Sequence, residues 1–279
     1  MTVGKKLVFL DIDGTLTSMG SSVPPASAQE AIRRAQANGH LVALCSGRNH
    51  GMLSPLLRYG FDGVVASAGG YILWDGQVLF DCPMTEAQGR IAAETFAANG
   101  VSYALEARED SFADEVFLER FRHNRLPGES GSSELDRWQG RLEELGVRPI
   151  SQYRGEPLYK IIFLCPNEAC LTEPRRVLEA GFNFCVQGTD SRGRVHGELI
   201  NRKFNKGTAI RRVCEHLDVP LEDTVAFGDS MNDLEMIETA GAGVCMGNGN
   251  DELKARADLV CPPVDEDGLY RGFQQCGLI

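Results

Sequence analysis

Residues 7–17 read LVFLDIDGTLT, an apolar run that ends in two carboxylates, a glycine and two hydroxyls. The run Leu7–Leu10 predicts a buried strand, and Asp11 and Asp13 follow it two residues apart. Side chains at this spacing leave the same face of a strand, so the two like charges repel unless a cation or a proton balances them. Open α/β sheets bind ligands at strand ends of this kind. The stretch predicts a ligand site, although an Asp-x-Asp pair alone is equally consistent with a solvated loop.

Two more apolar strands follow, with helical segments between the strands. The runs Leu41–Cys45 and Gly63–Ala66 are short and apolar, while Ala26–Asn38 and Asn49–Tyr59 have helical spacing. This order of strand, helix, strand, helix and strand predicts a parallel sheet with right-handed crossovers. The dipeptide DG at 75–76, between two apolar runs, then predicts a β-hairpin.

The middle of the chain has a different pattern. Helical spacing at 85–99 is followed by strand-like runs at 101–106 and 159–164, and the segments 182–187 and 194–200 predict a hairpin. Strands and helices do not alternate regularly here, so we expect an α+β insert.

One part of this insert has no regular apolar spacing. Residues 109–140 are charged and predict irregular structure. Within and beside this part, 125–133 predicts a mobile loop and 135–145 predicts a helix.

Regular alternation resumes after residue 200. Helices are predicted at 206–217, 233–240 and 251–257, and strands at 224–227, 243–246 and 259–261. The predicted organisation is therefore a core of residues 1–82 plus 201–279, with residues 83–200 as an inserted domain.

Composition limits the classes of function. The chain has 279 residues and a net charge of −11, which argues against a nucleic-acid partner. No apolar stretch approaches the roughly 18 residues of a membrane span, and the N-terminus leaves no room for a signal peptide, so we expect a cytoplasmic protein without a membrane partner. The nine cysteines contain no CxxC pair and predict reduced thiols. The oligomeric state stays open between monomer and homodimer.

A second acidic cluster strengthens the interpretation of Asp11 and Asp13 as part of a ligand site. Asp229, Asn232 and Asp233 follow the predicted strand at 224–227, again after a glycine. Carboxylate oxygens are the ligands that Mg²⁺ prefers, and Mg²⁺ commonly shares them with a substrate phosphate. Several aspartates around one point are consistent with a divalent cation at this edge of the sheet.

Other polar residues at the strand ends suit an anion. The Ser46 hydroxyl and the Gly47 amide follow the second strand and can donate to phosphate oxygens, although a serine here also serves as a helix N-cap. Lys206 opens a predicted helix, so its charge and the helix N-terminus both favour an anion. Arg48 is equally consistent with a substrate contact or with pairing to a surface acid.

Two polar residues of the insert are less informative. His196 and Glu198 lie in the predicted hairpin. They can reach a substrate there, but pairing with other groups at the surface explains them at least as well.

Four segments together resemble the motifs of a known enzyme superfamily. In chain order they read DIDGTLT, CSGR, NKG and GDSMNDLEM. Their order resembles the haloacid dehalogenase-like (HAD) hydrolase superfamily, and the long insert between the second and third motifs is similar to that of the Cof-type phosphatases, which carry a C2-type cap. This resemblance implies a Rossmann-like α/β core with an inserted α+β cap. One departure is Ser67–Gly70, which stands where many relatives have an Asn-Gly pair.

The resemblance also implies roles for the acidic residues. Asp11 is implied as the nucleophile, which forms an aspartyl-phosphate, and Asp13 as the general acid and then the general base. The implied metal-binding residues are Asp11, Asp13 through its backbone carbonyl, Asp229, and Asp233 through water or as a holder of Lys206. Asn232 is implied to contact the phosphate or a metal-bound water.

The sequence therefore predicts an Mg²⁺-dependent phosphatase. Its substrate is expected to be a small phosphorylated metabolite, and the resemblance alone favours a sugar phosphate. One alternative is a phosphomutase of the same superfamily, in which the phosphoryl group returns to a rebound sugar. A second is a non-enzymatic sensor of phosphorylated metabolites, which has no reason to retain both Asp11 and Asp13.

Overall fold

The computed structural model describes residues 4–19, 21–123, 146–189 and 193–279. The loop predicted at 125–133 and the helix predicted at 135–145 lie outside the described residues. Contacts divide the chain into two compact units. The first comprises Met1–Arg48, Leu53–Asp81 and Phe204–Ile279, and the second comprises Asn49–Met52 and Cys82–Lys203. The boundaries differ from the predicted ones by a few residues, and residues 49–52, which the sequence predicts in the core, belong to the second unit.

The described residues form strands and helices throughout both units. The strands are β1 (Leu7–Leu10), β2 (Leu41–Cys45), β3 (Gly63–Ala66), β4 (Tyr71–Trp74), β5 (Gln77–Asp81), β6 (Ser102–Ala107), β7 (Ser111–Ala113), β8 (Val147–Pro149), β9 (Leu158–Cys165), β10 (Phe182–Thr189), β11 (Val195–Asn201), β12 (Thr224–Gly228), β13 (Ala242–Met246) and β14 (Leu259–Cys261). The helices are α1 (Ala26–Ala37), α2 (His50–Leu57), α3 (Glu86–Ala98), α4 (Glu115–His123), α5 (Thr172–Leu178), α6 (Lys206–Leu217), α7 (Leu234–Thr239), α8 (Asp251–Lys254) and α9 (Gly268–Gln275).

The first unit contains an eight-stranded sheet in the order β14-β13-β12-β1-β2-β3-β4-β5. The six strands from β14 to β3 are parallel to their neighbours, and the hairpin β4–β5 completes the sheet in antiparallel fashion. The predicted parallel α/β core is confirmed. Because neighbouring parallel strands end at the same edge, the residues after β12, β1, β2 and β3 are brought together there.

The centre of this sheet is buried on both faces. Every side chain of β1 is fully buried, which explains why its sequence is a continuous apolar run. Ile210 and Val213 of α6 pack in the same apolar cluster as Leu7 and Phe9. Burying a leucine or phenylalanine side chain contributes about 1.5–3 kcal/mol, so the strand ends that carry polar residues are held by a well-packed sheet.

The second unit contains a six-stranded sheet in the order β10-β11-β9-β6-β7-β8. Its strands are antiparallel except for the pair β7 and β8. The predicted hairpin is confirmed as β10 and β11. The core of this unit contains a group of aromatic rings, among them Phe96, Phe163 and Phe184, whose centroids lie 5.8–6.3 Å apart.

The prediction of irregular structure from residue 109 is wrong for the described part of that segment. Strand β7 and helix α4 lie there, joined by Asp114. The Asp114 carboxylate accepts hydrogen bonds from the Phe117 amide at 2.8 Å, the Ser102 hydroxyl at 2.6 Å and the Tyr103 amide at 2.8 Å. This aspartate caps the start of α4 and ties it to β6, so a tertiary contact stabilises elements whose own sequence pattern is weak.

Helix α9 has no counterpart in the prediction. Gly268 and Gly272 weaken its helical signal, but both lie at close approaches of the backbone. A Cβ atom at Gly272 would lie 2.6 Å from a ring carbon of Phe227. The glycine is needed for close packing against β12, a reason that the local sequence does not show. Within the described residues, none of the helices combines the length and the apolar character that a membrane span requires.

Candidate active site

Asp11 is the first residue beyond β1, and a tight turn follows it. Its amide donates to the carbonyl of Phe227 at 3.0 Å, which continues the pairing of β1 with β12. Beyond Asp13 the chain reverses, with the Gly14 amide donating to the Thr17 carbonyl at 2.7 Å. Asp11 and Asp13 are 6% and 2% exposed, so neither is a solvated loop carboxylate.

Lys206 joins two of the predicted acidic residues. Its Nζ donates to Oδ1 of Asp11 at 2.6 Å and to Oδ1 of Asp233 at 2.5 Å, and the lysine is 1% exposed. It is the first residue of α6, whose N-cap Asn205 forms a reciprocal capping box with Thr208. The cap fixes where the helix starts and therefore where the ammonium group lies.

The charge state of Lys206 follows from this environment. Burial acts to lower the pKa of its ammonium group, but the charges of Asp11 and Asp233 outweigh burial and hold the pKa well above its usual value. The lysine is therefore a fixed positive charge at the site.

Asp229 and Asp233 follow β12. The Oδ2 atom of Asp233 accepts from the amides of Asp229 at 3.0 Å and Ser230 at 3.2 Å, which fixes the turn between them. One carboxylate oxygen from each of Asp11, Asp229 and Asp233 lies within 4.8 Å of the others. A set of buried, convergent carboxylate oxygens fits a hard divalent cation such as Mg²⁺.

The balance of charge supports the same conclusion. Four buried carboxylates, those of Asp11, Asp13, Asp229 and Asp233, face the two buried cations of Arg48 and Lys206. Burial raises the pKa of the Asp11 carboxyl to about 6, and the charge of Asp233 acts in the same direction against Lys206. An excess of buried negative charge raises carboxyl pKa values in this way, and a bound divalent cation would offset it.

Gly14 allows the approach of Asp229 to this group. Its φ of +85° belongs to the left-handed region that favours glycine. A Cβ atom here would lie 2.2 Å from Oδ2 of Asp229. The glycine of the first motif is therefore required by both its backbone conformation and the neighbouring carboxylate.

Arg48 contacts Asp13. Its Nε and Nη2 atoms donate to the two carboxylate oxygens at 2.9 and 2.6 Å, and both residues are buried. Pairing of Arg48 with a surface acid is therefore wrong. The partner is the predicted acid and base of the site.

Ser46 and Gly47 are buried beside this pair, whereas Asn232 is exposed. Ser46 is buried after β2, its amide donates to the Val65 carbonyl at 2.9 Å, and its hydroxyl accepts from the Arg48 amide at 3.2 Å. Gly47 is buried too. Asn232 is exposed and accepts from the Ser230 hydroxyl at 2.7 Å, so its contact with phosphate stays a prediction.

Nearly the whole chain matches one protein family. The family model for haloacid dehalogenase-like hydrolases matches residues 8–273. The chain belongs to this family. The parallel α/β core of this HAD hydrolase is the one that the sequence resemblance implied.

Similar proteins cover nearly all of the chain. Phosphatase YwpJ of Bacillus subtilis is 29% identical over 290 residues, covering 95% of this chain and 97% of YwpJ. The 5-amino-6-(5-phospho-D-ribitylamino)uracil phosphatase YwtE of the same organism is 27% identical over 276 residues, with 95% of each chain covered. The crystal structure of a hypothetical protein from Geobacillus kaustophilus is 28% identical with a TM-score of 0.77, covering 99% of this chain and 100% of that one.

Asn248 is a site residue that the sequence did not reveal. Its Nδ2 donates to the Gly14 carbonyl at 2.8 Å, and its Oδ1 accepts from the Val264 amide at 2.8 Å. The nearby Asn250 amide donates to the Asp229 carbonyl at 3.0 Å. The loop after β13 thus supports both acidic turns of this HAD hydrolase. Its sequence GNGN, directly after an apolar strand, is the signal that could have indicated it.

His196 and Glu198 are not surface residues. They are 9% and 2% exposed, and Glu198 pairs with Lys160, which is fully buried. Lys160 also lies 3.2 Å from Glu106 on the neighbouring strand β6. The prediction of surface pairing is wrong because the sheet of the second unit brings three charged side chains together in its interior.

Proposed function

We propose that this HAD hydrolase is an Mg²⁺-dependent phosphatase that hydrolyses a small phosphorylated metabolite. The observation that carries the proposal is Lys206, fixed between Asp11 and Asp233 at a cluster of convergent carboxylates. A phosphate monoester needs a nucleophile, fixed positive charge for its oxygens and a proton carrier for its leaving group. The residues at this edge of the sheet include a candidate for each requirement.

In the first step, an Asp11 carboxylate oxygen attacks phosphorus and the bond to the leaving oxygen breaks. Asp13 gives its proton to that oxygen, so the metabolite leaves as an alcohol. In the second step, Asp13 takes a proton from water, the water oxygen attacks phosphorus, and inorganic phosphate leaves with the Asp11 carboxylate restored. Lys206 and Ser46 stabilise the charge on the phosphoryl oxygens throughout.

Asp11, Asp229 and the backbone carbonyl of Asp13 are the residues that would hold Mg²⁺, with Asp233 acting through water or through Lys206. A bound Mg²⁺ would neutralise charge on the phosphate oxygens and would help to orient them for in-line attack. The buried excess of carboxylates supports this assignment.

The proposed substrate class is a sugar phosphate or a related polyol phosphate. The name of the relative YwtE includes a phosphorylated ribityl group, and this chain is similar to YwtE along nearly its whole length. The inserted residues 83–200 are proposed to select the leaving group. The proposed location is the cytoplasm, consistent with nine cysteines of which none forms a disulfide within the described residues.

The decisive experiment measures inorganic phosphate released from phosphorylated metabolites by the purified protein with Mg²⁺ and with EDTA. Hydrolysis is expected with Mg²⁺ only. Activity that persists in EDTA would contradict the metal assignment. Conversion of one sugar phosphate into its isomer, with negligible phosphate release, would identify a mutase instead.

Asp11→Asn tests the nucleophile in the same assay. A neutral amide cannot take the carboxylate's role, so we expect turnover to be lost. The matched control is Asp75→Asn, an exposed position in the β4–β5 turn, where activity is expected to stay unchanged. Substantial activity in Asp11→Asn would remove Asp11 from the proposed role.

A further inference from the structure

The row of polar residues at the strand ends extends one strand beyond Ser46. Strands β12, β1, β2 and β3 are adjacent and parallel, and Asp229, Asp11, Ser46 and Ser67 are the first residues after them. The first three belong to the candidate site. Ser67 occupies the equivalent place on the fourth strand.

The turn that begins at Ser67 has a strained backbone. Ser67 and Ala68 have φ values of +50° and +57°, in the left-handed region that residues with a Cβ atom rarely adopt. Two successive residues of this kind persist only where the surroundings fix them, and such strain is concentrated at functional sites.

Contacts of this turn reach both anion-binding elements of the site. The Ser67 amide donates to the Arg48 carbonyl at 2.8 Å, and the Ala68 amide donates to the Ser46 carbonyl at 2.9 Å. On the other side, a Cβ atom at Gly69 would lie 2.5 Å from the carbonyl oxygen of Asn205, the N-cap of α6. The turn therefore lies between the Ser46 loop and the helix end that carries Lys206.

The Ser67 hydroxyl is buried without a hydrogen-bond partner among the described residues. The residue is 1% exposed. Proteins pair nearly all buried polar groups, so an unsatisfied hydroxyl needs an explanation. The Thr15 hydroxyl, in the turn after Asp13, is also buried without a hydrogen-bond partner among the described residues. Both hydroxyls lie in loops that follow the central strands.

We propose that the Ser67 hydroxyl donates a hydrogen bond to a phosphate oxygen of the substrate. Ser67 is then a binding residue of the same centre, beside Ser46 and Lys206, and its strained turn serves to hold the hydroxyl there. This inference rests on the proposed phosphatase function, because the ligand is the phosphate group of that reaction.

The test is Ser67→Ala, with direct binding of inorganic phosphate measured by calorimetry in Mg²⁺. Removing a hydrogen bond to a charged group is expected to lower the phosphate affinity about ten- to hundredfold. The phosphate-free variant is expected to be at least as thermostable as the wild type, because alanine removes an unsatisfied buried hydroxyl. Ser67→Gly, which also relieves the left-handed backbone, is expected to lose phosphate affinity to the same extent.

The matched control is Ser111→Ala. Ser111 is also fully buried, but its hydroxyl accepts from Asn49 Nδ2 at 3.2 Å in the second unit. This variant is expected to be less thermostable while its phosphate affinity stays that of the wild type. The two serine variants therefore separate a loss of binding from a loss of packing.

The outcomes distinguish this inference from the phosphatase proposal. Equal phosphate affinity in Ser67→Ala and the wild type, with the wild type active as a phosphatase, overturns the role of Ser67 alone. A raised KM for substrate with unchanged phosphate affinity also overturns it, because the hydroxyl would then contact the leaving group. A wild type that neither binds phosphate nor hydrolyses phosphomonoesters overturns both.

Discussion

Arg48 and Asp13 form a buried, doubly hydrogen-bonded ion pair, in which two guanidinium nitrogens each donate to one carboxylate oxygen at 2.9 and 2.6 Å. Paired contacts of this geometry restrict the orientation of a carboxylate more strongly than a single hydrogen bond does. In the proposed mechanism, Asp13 takes a proton from water as this carboxylate and, once protonated, gives a proton to the leaving oxygen of the next substrate. Arg48 therefore acts as a positioning residue for the proton carrier.

Arg48→Ala should affect substrates according to their leaving groups. A sugar alkoxide leaves poorly unless it is protonated, whereas 4-nitrophenolate leaves readily without a proton. We expect kcat to fall by about a hundredfold for a sugar phosphate, the scale of general acid catalysis, and much less for 4-nitrophenyl phosphate. The control is Arg33→Ala, which removes an exposed arginine paired with Glu30 and should change neither rate. An equal fall for both substrates would indicate that Arg48 binds the phosphate instead.

The pKa of Asp11 predicts an unusual pH dependence of stability without metal. Burial raises that pKa from 3.8 to about 6 in the folded protein. Between these values the folded state binds more protons than the unfolded state, so the free energy of unfolding contributed by Asp11 falls as pH rises. Urea unfolding in EDTA between pH 4 and pH 7 should show this decrease in the wild type and a smaller one in Asp11→Asn.

Bound Mg²⁺ should offset the loss of stability that the buried charge of Asp11 causes at neutral pH. At neutral pH, added Mg²⁺ is expected to raise the Tm of the wild type more than that of Asp11→Asn, since the variant lacks one of the carboxylates that face the cation. If the free energy of unfolding in EDTA depends on pH in the same way in the wild type and in Asp11→Asn, the raised pKa of Asp11 does not contribute to stability.

Lys206→Met should destabilise the protein as well as impair catalysis. The variant leaves Asp11 and Asp233 buried without their common cation, a change that costs about 3–5 kcal/mol in comparable buried pairs. We expect kcat/KM to fall by about 10²–10³, the scale of losing one group that stabilises the transition state. Lys5→Met, at an exposed position, is the control and should match the wild type in urea unfolding and in kinetics.

Gly14→Ala and Gly39→Ala form a matched pair of variants. Both glycines have left-handed φ values, +85° and +91°, so alanine brings a similar backbone cost of about 1–2 kcal/mol. Only at Gly14 does the new Cβ atom meet a neighbour, Oδ2 of Asp229 at 2.2 Å, whereas at Gly39 no atom lies within 4 Å.

We expect Gly14→Ala alone to weaken Mg²⁺ activation of hydrolysis, because the methyl group displaces Asp229. Activity titrated against Mg²⁺ concentration measures the effect. If Gly39→Ala shows the same rise in the Mg²⁺ requirement, general destabilisation and not the position of Asp229 is responsible.

The sequence predicted the strand ends well because that information is local. Leu7–Leu10 and Leu41–Cys45 are apolar runs of strand length, and the structure places strands at the same bounds. Lys206–Leu217 is a helix as predicted, since Asn205 supplies a strong N-cap. The predictions failed where the stabilising contact is distant in sequence, as with Asp114 at the start of α4 and Phe227 against Gly272 of α9.

The sequence by itself determined which chemical groups stand at the ends of the parallel strands, and therefore the family and the candidates Asp11, Asp13, Asp229 and Lys206. Alternating apolar segments dictate a parallel sheet, and a parallel sheet places its carboxyl ends at one edge.

Only the tertiary structure decided how these groups pair. Lys206 bridges Asp11 and Asp233 across 195 and 27 residues of chain, Arg48 holds Asp13 across 35, and Asn248 supports Gly14 across 234. Such pairings depend on sheet register, helix position and side-chain packing that join distant segments, so no local pattern encodes them. For the same reason, the buried hydroxyl of Ser67 becomes evident only when the loops of four neighbouring strands are seen together.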